Sequence, residues 1–172
     1  MITPAVRKAL LTTHVVAAVG WIGAVVAFLG LAVVGLTSAD EPTVRGAYLV
    51  MEPAARLVLL PLAIASLATG VIQSLITSWG LIRHYWVVFK LAINVFALIL
   101  LMTYMNTFRA MAAIAADPRA ELAAVRNSSP LLHAVLALLI LLVATVLAIF
   151  KPKGLTPYGW GREQALREPR KP

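Results

Sequence analysis

Long apolar runs alternate with short polar stretches along this chain, and the runs are too long for the strands or helices of a soluble core. The first, residues 9–35, reads ALLTTHVVAAVGWIGAVVAFLGLAVVG and holds no acidic residue, lysine or arginine. About 20 apolar residues cross a bilayer as a helix, so this run spans one with some tilt. Three more follow at about 57–79, 85–108 and 131–150. Between them lie 38–56, broken by Asp40, Glu41, Pro42 and Pro53; a short link at 80–84; and a longer link with Asp117-Pro118 and a helix start at Arg126-Asn-Ser-Ser-Pro130. The predicted fold is all-α: a polytopic membrane protein with a four-transmembrane-helix bundle over 1–150. A basic, proline-rich tail over 151–172 lies at the membrane surface or is disordered.

Composition narrows the function. The chain is 61% hydrophobic and only 13% charged, which excludes an ordinary soluble domain. It has no cysteine, so disulfides, thiolate catalysis and cysteine-based metal centres are excluded. Arg7 and Lys8 precede the first run as in a signal peptide, but that run is too long and lacks a cleavage site, so a retained span is expected. The net charge of +8 reads as loop charge beside a membrane, with no nucleic acid as partner.

Charge also orients the bundle. An even number of spans puts both termini on one side. Arg7, Lys8, Arg83, Lys90, Lys151, Lys153, Arg162, Arg167, Arg170 and Lys171 fall on that side, against Arg45, Arg56, Arg109, Arg119 and Arg126 on the other. The five outer basic residues are matched by Asp40, Glu41, Glu52, Asp117 and Glu121, the ten inner ones only by Glu163 and Glu168. Both termini are therefore expected in the cytoplasm.

An ionisable residue inside a span is a functional candidate by default. At about 1.5 Å per residue, His14 lies about 7 Å in from the cytoplasmic end of the first span, Lys90 about 7 Å and Gln73 about 9 Å. The three share a level. Trp21, seven residues after His14, shares its face. Ser66, Thr69, Gly70, Gln73 and Thr77 form a stripe on the second span, and Lys90, Asn94, Ala97 and Leu101 one on the third. Polar faces avoid lipid, so the stripes should meet. No carboxylate lies in any span, which argues against a pump built on buried Asp or Glu. Each feature also has a plainer reading. Hydroxyl stripes bond helices together, Lys90 can snorkel to the interface, and His14 can bond a neighbouring helix. The functional alternative makes His14 an axial ligand to haem iron, with Lys90 facing a propionate or another anionic group.

The other histidines stand apart. His84 abuts Tyr85 and Trp86 at an aromatic-belt position. His133 lies near the outer end of the fourth span, about 20 Å in height from His14, too far to ligate the same iron. Near its height are Met102, Met105, Met111 and Met51, and thioethers with imidazole suit copper, so an outer copper site is an alternative. Methionine is equally a core filler.

Three blocks resemble the small four-helix membrane proteins related to bacterial protoporphyrinogen oxidase and the copper-resistance protein D domain. They are His14-Val-Val-Ala-Ala-Val-Gly-Trp21-Ile-Gly23, Trp86-Val-Val-Phe-Lys90-Leu91 and Ala148-Ile-Phe-Lys151-Pro152. The chain also resembles an uncharacterised group of predicted integral membrane proteins in the same superfamily. The resemblance implies b-type haem, with His14 and Lys90 at the positions needed for activity, and a bacterial plasma membrane. Before its fourth helix the family carries Asn-Glu-x-Pro where this chain has Asn127-Ser-Ser-Pro130, so catalysis stays open. The expectation is haem b or a related tetrapyrrole held by His14, Trp21, Gln73, Lys90 and Asn94, with His14 on the metal. Its role is redox or haem handling, with a quinone or redox partner and porphyrinogen oxidation as the implied reaction. The rivals are copper handling and a non-catalytic membrane subunit. Ala17, Ala18, Gly20, Gly23 and Ala24 permit close packing, within the bundle or in a homo-oligomer.

Overall fold

The computed structural model describes residues 3–77 and 79–167. Glu168, Arg170 and Lys171, used above, lie outside them. The described chain is all-helical. Its elements are α1 (Pro4–Thr37), α2 (Glu41–Ala54), α3 (Leu60–Ile76), α4 (Tyr85–Ala116), the short α5 (Leu122–Val125), α6 (Ser129–Phe150) and α7 (Pro157–Arg167). A π-helical turn, Ala55–Leu59, joins α2 to α3 without a break. Four helices are thus long and apolar enough to cross a membrane. Their outer faces carry exposed side chains such as Val16, Leu57, Phe96, Leu139 and Phe150, an apolar belt that fits lipid and not water.

The 38–56 stretch is not the loop that its charges and prolines suggest. Only residues 38–40 separate α1 from α2. Asp40 caps α2, its carboxylate accepting from the Thr43 N–H at 3.0 Å, and Pro42 sits in the first turn where its missing N–H is harmless. Hydrogen bonds from the Thr43 hydroxyl and N–H hold the Asp40 carboxyl below its ordinary pKa. Val44, Ala47, Tyr48 and Met51 then form a buried stripe at helical spacing. Pro53 would leave a carbonyl one turn back unpaired. The π-turn that follows accommodates it, so the helix continues. Likewise α4 runs past the expected end at 108 to Ala116, because Phe108, Met111 and Ala115 extend its buried face. Within the tail, Pro157–Arg167 is helical. The Thr156 hydroxyl donates to the Ile82 carbonyl at 2.7 Å, Thr156 N to the Arg83 carbonyl at 3.0 Å, and Tyr85 N to the Gly154 carbonyl at 3.3 Å.

The spans pack as a ring. α1 touches α2, α3 and α6, and α4 touches the same three. Among the described residues α1 and α4 share no backbone contact, so they face each other across a diagonal. Away from the termini that diagonal is filled. Phe28 meets Phe108 edge-on at 5.4 Å, and Tyr104 meets Phe108 at 4.9 Å. Tyr48 is fully buried against Gly35, where a Cβ would come within 2.9 Å of its ring. Two arginines close this end. Arg45 donates to the carbonyls of Ala115, Asp117 and Ala120, and Arg126 to those of Leu36 and Ser38, satisfying groups left open at the ends of α4 and α1.

The Tyr48 hydroxyl donates to the Asn127 carbonyl at 2.9 Å and accepts from the Asn127 N–H at 2.8 Å. Tyr48→Phe should therefore destabilise the bundle by about 1–2 kcal/mol, the cost of unpairing sheltered backbone groups. Thermal unfolding in detergent would show this as a lowered midpoint, and an unchanged midpoint would mean that water replaces the hydroxyl.

Candidate functional site

Near the termini the diagonal is open. α1 presents one stripe inwards, His14, Ala17, Trp21 and Val25, spaced three and four residues apart. Opposite, α4 presents Trp86, Lys90 and Asn94 at successive turns. Small residues flank them, Gly70 on α3 and Ala144 and Ala148 on α6. The result is a cavity of about 550 Å³, within the range of small-molecule and cofactor sites. His14, Trp21, Gln73, Lys90 and Asn94 all line it. Trp21 is 3% exposed and forms its floor against the aromatic half of the core.

A chain of hydrogen bonds crosses the cavity. The Thr69 hydroxyl donates to the Ala65 carbonyl at 2.6 Å, as hydroxyls in helices do. Its proton is spent, so at 3.0 Å it accepts from His14 Nδ1–H. That fixes the tautomer: Nε2 carries the lone pair. Lys90 Nζ donates to this nitrogen at 3.3 Å. Lys90 therefore turns inwards and does not snorkel. Gly70 makes room for the ring, since a Cβ there would lie 3.0 Å from His14 Cε1. Asn94 is tied to its own helix, donating to the Lys90 carbonyl at 2.7 Å.

Charge at the site has one sign. Arg7 and Lys151 join Lys90 in the lining, and among the described residues no acidic one lines it. Lys151 is held by a left-handed backbone (φ 43°) that ends α6, and its ammonium lies 5.2 Å from the Trp79 ring centroid. Trp79 in turn meets the Trp86 ring edge-on at 5.5 Å. Trp86 carries a buried indole N–H with no hydrogen-bond partner. Such an orphan donor costs about 1–3 kcal/mol. Arg7, Thr69, Trp86 and Lys151 extend the five residues singled out in the sequence.

The remaining candidates lie elsewhere. His84 Nδ1–H donates to the Trp79 carbonyl at 2.8 Å, in the link before α4. His133 stacks on Tyr104 at 4.1 Å, and its Nδ1–H donates to the Ser129 carbonyl at 2.8 Å. Met51 and Met111 are buried in the apolar core, Met105 packs against it, and Met102 is exposed. Among the described residues no group of three or more His, Asp and Glu side chains could hold a bare metal ion. Compared with protein-family models, curated proteins and solved structures, the chain matches none.

The Thr69 contact makes a direct prediction. Nitrogen-15 NMR of histidine-labelled protein should find His14 as the Nδ1–H tautomer, and Thr69→Val should release that preference. An Nε2–H tautomer in the wild type would overturn the assignment.

Proposed function

We propose that the cavity binds b-type haem or a related tetrapyrrole, with His14 Nε2 as the axial ligand. The supporting observation is the anchored imidazole. Its Nδ1–H is held by Thr69, and its Nε2 lone pair faces the cavity. Metal-ligating histidines are typically oriented in this way through the other ring nitrogen. A single imidazole cannot hold a bare ion, but a macrocycle brings its own four nitrogens and needs only one from the protein.

The rest of the lining fits such a group. Trp21 and the small residues of α3 and α6 offer apolar walls for a flat ring. Arg7, Lys90 and Lys151 offer cations for its propionates, and among the described lining residues no acidic side chain opposes them. Lys90 exchanges its bond to Nε2 for one to a carboxylate. The bundle sits in a bacterial plasma membrane with both termini in the cytoplasm, which puts the site in the cytoplasmic half. A bound haem supplies one-electron redox chemistry. The role is redox or haem handling, and porphyrinogen oxidation with electrons passed to a quinone is the reaction that the resemblance of the His14 and Lys90 blocks implies.

Hemin titrated into the detergent-solubilised protein should produce a Soret band. His14→Gly should abolish it, and added imidazole should restore it by replacing the missing ligand. Thr69→Val should weaken hemin binding about 10–100-fold through loss of the orienting bond. A wild type that takes up no hemin refutes the proposal.

A further inference from the structure

A second cleft, of about 560 Å³, opens at the end of the bundle that carries the termini, between the link before α4 and the strap of residues 151–155 that follows α6. Hydrogen bonds fasten these two segments together, although they are distant in sequence. The Tyr85 N–H donates to the Gly154 carbonyl at 3.3 Å, the Thr156 N–H to that of Arg83 at 3.0 Å, and the Thr156 hydroxyl to that of Ile82 at 2.7 Å. The fastening gathers charge. Arg83 comes from the link and Lys151 and Lys153 from the strap, and among the described residues Glu163 is the single carboxylate of the lining. Both lysines are exposed. Lys151 is held at φ 43°, a conformation that residues other than glycine rarely adopt and that persists mainly where function uses it. Three like charges repel one another, so a surface that only needed solvation would spread them, and their convergence on one cleft favours an anion. An apolar track leads away from the same cleft. Tyr85 stands on its rim, where a Cβ on Gly154 would lie 3.5 Å from the ring. Tyr85, Phe89 and Phe96 are spaced four and seven residues apart, so they form one exposed stripe along the membrane-spanning α4. A free phosphate would use the cations and ignore the stripe. An acidic protein segment would not follow an apolar face into a bilayer.

We infer that this cleft is a binding site for an anionic phospholipid, with the phosphate held by Arg83, Lys151 and Lys153 and an acyl chain lying along Tyr85, Phe89 and Phe96. Basic pockets at the membrane surface between helices suit such headgroups. A zwitterionic headgroup brings its own ammonium towards the same cations and is disfavoured. Lys151 keeps its donors for the phosphate, since its contact with the Trp79 ring, 5.2 Å to the centroid, engages only its charge. Lys151 lines both clefts, whereas Arg83 and Lys153 line this one and not the cavity of His14. The inference therefore stands apart from haem.

The test titrates the full chain in detergent with dioleoyl phosphatidylglycerol or dioleoyl phosphatidylcholine and follows the first retained lipid by native mass spectrometry. Phosphatidylglycerol should bind about tenfold or more tighter, since each cation beside the headgroup is worth about fivefold. Lys153→Gln should lower that preference about fivefold, and Lys153→Arg, which keeps the charge, should retain it. Lys153 is exposed, so neither variant disturbs packing. Arg162→Gln removes one charge from the exposed side of α7, outside the lining, and should leave the preference unchanged. This control separates a site from the general charge of that end. Glycerol phosphate, the headgroup without chains, should not displace the lipid at equal concentration. The inference is overturned if the two lipids bind equally, if Lys153→Gln keeps the full preference, or if Arg162→Gln loses as much. Displacement by glycerol phosphate would overturn it in favour of a free-phosphate site. A lipid preference with no Soret band from hemin would refute the haem proposal alone, and a His14-dependent Soret band without lipid preference would refute this inference alone.

Discussion

An imidazole and an ammonium meeting across the diagonal of an apolar bundle is the contact on which the rest of this molecule turns. His14 is buried and Lys90 half-buried within an apolar bundle, and lipid offers neither a partner. Each finds a polar partner there in the other, and the imidazole a second one in Thr69. The contact spans helices with no backbone contact of their own and, with the Phe28–Phe108 ring pair further along the same diagonal, ties the height of α1 to that of α4. A one-residue rotation of either helix would carry His14 or Lys90 about 100° towards its neighbours or the lipid.

That constraint divides the bundle into unlike halves. The half away from the termini is filled by Phe28, Tyr48, Met51, Tyr104 and Phe108 and closed by arginines on helix-end carbonyls. It serves as the rigid frame. In the other half glycine and alanine replace these large side chains, and the space they leave is ringed by cations. Packing was therefore given up where the polar residues converge. The orphan indole N–H of Trp86 belongs to the same half, which is where a binding protein would keep unsatisfied groups.

Much of this was legible in the sequence, for identifiable reasons. The spans follow from the uninterrupted apolar runs. The meeting of His14 and Lys90 follows from the helical rise once the charges had set the direction of each span. Helix ends were less legible. Asp40, Glu41, Pro42 and Pro53 have the composition of a loop, yet the first three start a helix and the π-turn absorbs the fourth. The roles of Thr69, Trp86, Arg7 and Lys151 needed rotation as well as height. Rotation depends on which helices are neighbours in the ring, and sequence periodicity does not give that. Gly70 stood in the polar stripe, but its use as a seat for the His14 ring appears only with the two helices in place.

These features converge on a site that anchors one nitrogen of an imidazole, points the other into a cationic, apolar-walled cavity, and supplies no further metal ligands of its own. The most direct measurement is the haem content of the chain purified from haem-replete cells, determined by the pyridine haemochrome spectrum. The wild type should carry one b-type haem per chain, and His14→Ala, folded by circular dichroism, should carry none. A folded, pure wild type free of haem, or a His14→Ala variant that keeps it, would contradict the account.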